Sequence, residues 1–179
     1  IIKSLGGVTL SCVSSQGELT VFPNTLPKAK ADEGTYVLLA EPCTDAALEP
    51  SVISWPGEYD HVGMTIRGIG HPRVSYLVVT EGLRCGFLSS PLHAWTEPEL
   101  QALGDLDVLA IPADDPKLVQ ALVEEIDPPV VIPLPSKDGK TYQEVLRACG
   151  AAGTEAVKEV KLKKSGLPAD SRVVYVLGA

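Results

Sequence analysis

Short stretches of alternating hydrophobic and polar residues dominate the first half of the chain and predict β-strands there. Two of them, residues 8–13 and 18–22, flank the polar segment 14–17, which predicts a β-hairpin. Further strands are predicted at residues 36–40, 62–69, 74–79 and 83–88. The last two are separated only by residues 80–82, so we expect them to pair with each other.

The period of the pattern changes in the second half, where helices alternate with buried strands. Residues 96–99 have the spacing of a helix start, with Thr96 as the N-cap. A second helix begins at Asp115 and has an apolar stripe through Ile126, and a third surrounds residues 142–149. Strands are predicted at 107–112, 130–133 and 172–177. The order indicates a mixed α/β domain with helices outside one or more sheets.

Length and composition indicate one globular domain over residues 1–179. The hydrophobic content of 45% supports a single core, and the apolar runs are too short to span a membrane. No secretion signal is recognised. The net charge of −8 argues against nucleic acid as a partner, because phosphate binding relies on clustered Lys and Arg. One basic stretch is interpreted as a solvated edge strand in preference to a nucleic-acid patch: Lys158, Lys161, Lys163 and Lys164.

The cysteines are widely spaced and form no pair typical of a zinc knuckle or a disulfide-rich domain: Cys12, Cys43, Cys85 and Cys149. All except Cys43 lie in apolar strand or helix patterns, so we predict that these three are buried. This cysteine usage favours a reducing cytoplasm as the location of the protein.

Two segments carry a resemblance to a known family: YVLLAEPCTDAALEP at residues 36–50 and ISWPGEYDHVGMTIRGIG at residues 53–70. They resemble the metallo-β-lactamase superfamily, especially its short bacterial hydrolase-like branch, which has PGEYE where this chain has PGEYD. The strand order is similar over nearly the whole chain. The resemblance implies an αββα four-layer sandwich, in which two sheets pack face to face, helices cover both outer faces, and the site lies along one edge.

The resemblance also implies where metal ligands are expected, and other residues stand at those positions. The His-x-His-x-Asp-His loop of the family corresponds here to Glu41, Cys43, Asp45 and Ala46. Later ligand positions correspond to Phe87, Ser89, Ser90 and Pro135. None of the three histidines, His61, His71 and His93, falls on an expected ligand position. We therefore predict that the two-zinc centre has been lost.

A remnant binding site is predicted at the sandwich edge, with no cofactor expected: Glu41, Cys43, Asp45, Glu58, Ser89 and Ser90. The alternative is a mononuclear site, most plausibly for zinc, on Glu41, Cys43 and Asp45, because all three side chains can bind a divalent ion. Asp45 could instead brace its own loop through backbone N–H groups. Glu58 could instead belong to a structural corner at Pro56 and Gly57.

Ser89 and Ser90 lie close to His93 in sequence, which raises the hypothesis of a nucleophilic serine. No GxSxG segment supports this hypothesis, and proximity in sequence does not establish the geometry of a catalytic triad. Asp114 and Asp115 are better explained as the N-terminus of a helix. His61 and His71 are interpreted as surface residues.

The leading hypothesis is a cytoplasmic protein of metallo-β-lactamase fold that lacks two-zinc hydrolysis and has kept a role in binding or assembly. Its partner would be a small molecule or a protein held at the former site. One rival is a metal-dependent hydrolase with the altered mononuclear site. Another is a structural subunit, which would have a large apolar patch covered by a partner.

Overall fold

The computed structural model describes residues 1–28, 32–48, 51–61, 63–70, 72–135 and 138–178. Within these ranges the strands form two sheets, sheet A and sheet B. Sheet A contains β1 (Ile2–Gly6), β2 (Thr9–Ser14), β3 (Gly17–Val21), β4 (Thr35–Leu38), β5 (Val52–Ile53) and β12 (Glu159–Val160). From edge to edge its order is β12-β1-β2-β3-β4-β5. The predicted hairpin is confirmed, since β2 and β3 pair antiparallel.

Sheet B contains β6 (Gly57–His61), β7 (Met64–Ile69), β8 (Ser75–Thr80), β9 (Leu83–Phe87), β10 (Val108–Pro112), β11 (Val130–Leu134) and β13 (Val173–Val174). Its order is β13-β11-β10-β9-β8-β7-β6. The strands from β6 to β9 are antiparallel, and β9, β10, β11 and β13 are parallel. The predicted pairing of β8 with β9 is confirmed.

Two apolar layers lie on the two faces of sheet B. One is the interface between the sheets, where Leu19 and Leu38 of sheet A meet Tyr76 and Ile132 of sheet B. The other lies between sheet B and the helices α1 (Glu97–Leu103), α2 (Pro116–Ile126) and α3 (Gly139–Ala148). Because both faces of β10 are covered, all five of its residues are buried, which explains its continuous hydrophobic sequence.

The sandwich predicted from the sequence is confirmed, and its helices are distributed unevenly. In the part of the chain that the structure describes, all three α-helices pack on sheet B, and no α-helix covers the outer face of sheet A. The residues on that outer face include Lys3, Ser11 and Thr20, which lie opposite one another across β1, β2 and β3. β1, β2 and β3 pair antiparallel, and an antiparallel region with a polar outer face needs no covering layer.

Three of the strands described here were not predicted: β1, β5 and β6. We expected a corner at Pro56 and Gly57 and a strand at 62–69, but β6 already begins at Gly57 and pairs with β7. The pattern failed there because β6 is an edge strand with few apolar side chains and mainly exposed residues. β1 and β5 lie outside the predicted strands, which began at residue 8 and left residues 41–61 without a strand. Residue 62, where the predicted strand began, lies outside the described residues. His71, which we predicted to be exposed, also lies outside them.

The basic stretch near the C-terminus forms ion pairs at the end of the sandwich where β10 begins. β12 is an edge strand as predicted, with Lys3 and Lys161 both paired to Glu159. Lys164 departs from the predicted solvated role, because its ammonium donates to both carboxylate oxygens of the buried Asp107 at 2.6 and 2.8 Å. Asp107 directly precedes β10, so this ion pair joins the C-terminal segment to sheet B.

The cysteines are free thiols. Burial raises the pKa of Cys85 to about 12 and also raises the pKa of Cys12 and of Cys149. Cys85 is buried as predicted, and Cys12 and Cys149 are half-buried. These thiols stay protonated at neutral pH and pack as small apolar side chains. No helix among the described residues has both the length and the apolar character needed to cross a bilayer.

Tyr76 joins the two sheets through its buried hydroxyl, which lies 2.6 Å from the carbonyl oxygen of Leu39 and 2.9 Å from that of Ile53. We expect Tyr76→Phe to lower the free energy of unfolding by about 1–3 kcal/mol, because the Leu39 carbonyl loses its hydroxyl donor, while the Ile53 carbonyl still accepts from the Leu39 N–H. Urea denaturation measures this change. The control is Tyr59→Phe, which removes an exposed hydrogen bond to the Trp55 carbonyl and should cost less than about 0.5 kcal/mol. Equal losses in the two variants would contradict the assigned role of Tyr76.

Candidate functional site

The two sheets leave a cleft at the edge where β4, β9, β10 and β11 end, and we call it the edge cleft. Its first cavity, of about 310 Å³, is lined by residues 22–26 and 39–41 with Val8, Arg73 and Ser90. Its second cavity, of about 490 Å³, is lined by Gly7, Val8, Asn24, Ser90, Pro91, Asp114, Pro135, Asp138 and Thr141. The two cavities share Val8, Asn24 and Ser90, so they adjoin.

Glu41 and Arg73 are the charged residues of the first cavity. Glu41 follows β4, and Arg73 directly precedes Val74, whose backbone N–H donates to the Ala40 carbonyl at 2.8 Å. This bond brings the two loops together, and the Arg73 guanidinium donates from Nη1 to the Glu41 carboxylate. Glu41 was a predicted site residue, and it does line the cleft. Its carboxylate is paired there with the Arg73 guanidinium.

Ser90 and Asp114 connect the loops that follow β9 and β10. The Ser90 hydroxyl donates to Asp114 Oδ2 at 2.8 Å, and the backbone N–H of Leu92 donates to the same oxygen at 2.8 Å. The predicted helix N-terminus is confirmed for Asp115, which accepts from the N–H groups of Lys117 and Leu118. Asp114 has a different role, because it fixes the loop of residues 90–92.

Ser89 and His93 do not form the nucleophile pair that their sequence positions suggested. Ser89 is buried, with its hydroxyl 3.2 Å from the Ser75 hydroxyl and its N–H donating to Ser75 Oγ. His93 Nε2 lies 3.1 Å from a carboxylate oxygen of Glu99 and stacks on Trp95. Ser89 is therefore hydrogen-bonded to Ser75 and not to His93. The His93 imidazole is hydrogen-bonded to Glu99 in the first turn of α1.

Cys43 and Asp45 lie beyond Glu41 in the same loop, and each is used locally. The backbone N–H of Cys43 donates to Ser54 Oγ at 2.9 Å, which ties the loop to the end of β5. The Asp45 carboxylate accepts from the N–H of Ala47 at 3.0 Å at the start of a short 3₁₀ turn. This is the bracing role that the sequence left open for Asp45.

Glu58 lies in β6, opposite Arg67 of β7, and forms an ion pair with it across the two strands. It is not among the residues that line either cavity of the edge cleft. Arg67 also donates to the Ala102 carbonyl at the end of α1. The PGEYD motif therefore forms an edge strand of sheet B, and the contact of Glu58 is structural.

The donors at the edge cleft do not fit a pair of zinc ions. Over the described residues, no three side chains of His, Cys, Asp and Glu converge into a group that could hold a metal ion. The carboxylates at the strand ends are paired with Arg73, Ser90 or backbone N–H groups. Zinc sites in proteins usually include imidazole or thiolate ligands, and neither lines these cavities among the residues that the structure describes.

The sequence reasoning missed Arg73, Asn24 and Asp138, all of which line the cleft. Arg73 could have been noticed as a cation directly before a buried strand in an acidic chain. Asp138 could have been noticed as the N-cap of α3, where its carboxylate accepts from the N–H groups of Lys140 and Thr141. No sequence signal identifies Asn24, which reaches the cleft through the loop after β3.

The fold is that of several solved structures. A proposed Zn-dependent hydrolase of the metallo-β-lactamase superfamily from Thermotoga maritima aligns with a TM-score of 0.73 at 20% identity, covering 98% of this chain and 97% of that one. A proposed metal-dependent hydrolase from Veillonella parvula aligns with a TM-score of 0.60 at 11% identity, covering 88% and 96%. The metallo-β-lactamase fold protein YhfI from Bacillus subtilis aligns with a TM-score of 0.56 at 10% identity, covering 82% and 92%.

At these identities the similarity establishes the fold, and the metallo-β-lactamase fold predicted from the sequence is confirmed. Comparison with protein-family models and with curated protein sequences gives no match.

Asp138, which lines the cleft, should make the stability of the protein depend on pH. Hydrogen bonds from the Thr141 hydroxyl and from the N–H groups of Lys140 and Thr141 lower the pKa of Asp138. A lowered folded pKa means that its contribution to stability is present above the unfolded pKa, about 3.9, and is lost as the pH falls through the folded pKa. We therefore expect Asp138→Ala to destabilise the protein more at pH 7 than in acid. Urea denaturation at several pH values tests this, and equal losses at all of them would contradict it. Thr141→Val, which removes the main donor, should raise the pKa of Asp138.

Proposed function

We propose that this chain, which has the metallo-β-lactamase fold, is a non-catalytic binding or assembly protein whose edge cleft holds a small molecule or a protein partner. The observation that supports the proposal is that carboxylates at the strand ends are paired with other groups of the protein. Glu41 pairs with Arg73, and Asp114 accepts from Ser90 and Leu92. These contacts satisfy within the protein the carboxylates that would otherwise be offered to a cation.

The energetics of these contacts favour binding over metal-assisted hydrolysis. Coordination of an ion through Asp114 Oδ2 would compete with two hydrogen bonds, and a hydrogen bond to a charged group contributes roughly 1.5–3 kcal/mol. Releasing Asp114 would also free the loop of residues 90–92. The cavities themselves need no rearrangement to accept a ligand, since their combined size is within the usual range of small-molecule sites.

The alternative of one divalent ion on Glu41, Cys43 and Asp45 needs these three side chains to converge, and over the described residues they form no such group. Asp45 would have to leave the N–H of Ala47, and Glu41 would have to leave Arg73. A cationic guanidinium beside the site would also disfavour a divalent cation. We keep this alternative as an outcome of the experiment below.

Two further expectations belong to the proposal. We propose a cytoplasmic location, because four free thiols suit a reducing compartment. We also propose that nucleic acid is not the partner. Over the described residues, the charged side chains that line the second cavity are Asp114 and Asp138, which would repel phosphates.

Elemental analysis of protein purified without a metal-affinity tag tests the proposal. We expect substoichiometric zinc, iron and manganese, together with no chelator-sensitive hydrolysis of esters, lactams or phosphodiesters. One equivalent or more of metal with chelator-sensitive activity would overturn it.

Asp45 distinguishes the proposal from the mononuclear alternative. Asp45→Ala should leave the metal content unchanged and lower the free energy of unfolding by about 0.5–2 kcal/mol, because a capping acceptor is lost. Asp45→Asn is the matched control, since it keeps a capping oxygen and removes the charge that a metal would need. Loss of bound metal in both variants would favour the mononuclear site.

A further inference from the structure

We propose that Arg73 makes the first cavity of the edge cleft a receptor for an oxyanion, a carboxylate or phosphate monoester carried by a compact and partly apolar molecule. This inference rests on the proposed binding function and specifies the class of ligand. It also gives Glu41 a role, which is to occupy the guanidinium until the ligand displaces it.

The charges around the first cavity direct an anion to one place. Arg73 is the cation among its lining residues, and Glu41 is the anion. Among the described residues, the adjoining second cavity is lined by Asp114 and Asp138 and by no Lys or Arg. An anionic group is therefore repelled from the second cavity and attracted to the guanidinium, while the uncharged part of the ligand can extend along the cleft.

The ion pair between Glu41 and Arg73 is easily exchanged for a pair between Arg73 and a ligand. The side chain of Glu41 is 72% exposed, and that of Arg73 is 33% exposed. Pairs this exposed contribute little to stability, because water competes for both charges. Glu41 can therefore move into solvent at small cost when another oxyanion takes its place.

The Arg73 guanidinium also has hydrogen-bonding capacity left over. Its Nε is buried and has no hydrogen-bond partner among the described residues. A guanidinium presents its donors in a planar fork that matches the two oxygens of a carboxylate or phosphate. A side-on oxyanion that replaced Glu41 could satisfy Nη and Nε together, given a small shift of the side chain.

The remaining lining suits a compact organic body. Phe22, Leu26 and Leu39 supply apolar surface, and Leu26 is 57% exposed at the rim. Asn24, Thr25 and Ser90 supply groups that can hydrogen-bond to the ligand. A cavity of about 310 Å³ admits a ligand about the size of a substituted aromatic acid and excludes a much larger one.

Benzoate and phenyl phosphate are the probes, and benzamide is the neutral counterpart of benzoate. The titrations extend to about 10 mM, which is roughly the upper limit for weak sites. Binding is followed by NMR through the Arg73 Nε–H resonance. We expect saturable binding of benzoate or phenyl phosphate and none of benzamide. Their relative affinities distinguish a carboxylate site from a phosphate site.

Two variants should change the affinity in opposite directions. Arg73→Gln should weaken binding by roughly 10- to 100-fold, because a charge-assisted hydrogen bond is lost. For this variant the titration is followed by ligand-observed NMR. Glu41→Gln should strengthen binding by up to about fivefold, because the competing carboxylate is removed. Arg73→Lys keeps the charge without the fork and should fall between wild type and Arg73→Gln.

Arg67 and Glu58 provide matched controls. They form an ion pair of similar exposure on sheet B, and neither lines the cleft. Arg67→Gln and Glu58→Gln should leave probe affinity unchanged. Thermal unfolding without probe shows whether each variant is folded, and the Glu41→Gln result stands even if Arg73→Gln is unstable.

Three results would overturn the inference: no saturable binding of either anion to the wild type, equal affinity in Arg73→Gln, or weaker binding in Glu41→Gln. None of these results bears on metal content or hydrolysis, so the proposed function would stand. Conversely, stoichiometric zinc with hydrolysis would remove the proposed function, whatever the anion titrations give.

Discussion

The apolar interface between the two sheets determines where the other features of this molecule lie. Each strand must direct its alternate hydrophobic residues toward the opposite sheet, and a shift of one residue would turn that whole set away from it. The registers of β4, β9, β10 and β11 are fixed by this requirement. Their ends are therefore fixed as well, and the loops that line the edge cleft begin from those ends. The Tyr76 hydroxyl adds a directional bond between β8 and the residues that follow β4 and β5.

This arrangement explains how the fold can be kept while the chemistry at its edge changes. The side chains that hold the sheets together belong to the strands, as Leu38 and Ile132 do. Those at the site belong to the loops beyond, as Glu41 and Asp114 do. Replacing a ligand in a loop removes no buried apolar surface. Its cost is limited to the partners that the loop must find. In this chain the loop carboxylates of Glu41 and Asp114 have Arg73 and Ser90 as partners.

The sequence predicted the parts of the molecule that depend on local pattern. The hairpin of β2 and β3, the start of α2 at Asp115 and the buried strand β10 all follow from periodicity and capping. It failed where the cause was distant or weak. β6 has too few apolar residues to show a pattern, and Glu58 was misread because its partner lies across the hairpin on β7. Arg73 meets Glu41 over 32 positions of sequence, a contact that only the folded strands create.

The ion pair between Asp107 and Lys164 lies before β10, whereas the edge cleft lies after it. The C-terminal segment contributes β12 to sheet A and β13 to sheet B, so it spans both sheets near this pair. The sandwich is thus fastened across its two layers at the rim remote from the cleft. At the cleft rim the layers are joined by separate bonds, from the Tyr76 hydroxyl to the Leu39 carbonyl and from the Val74 N–H to the Ala40 carbonyl. A ligand that enters the cleft therefore meets a sandwich whose two layers are held at both rims.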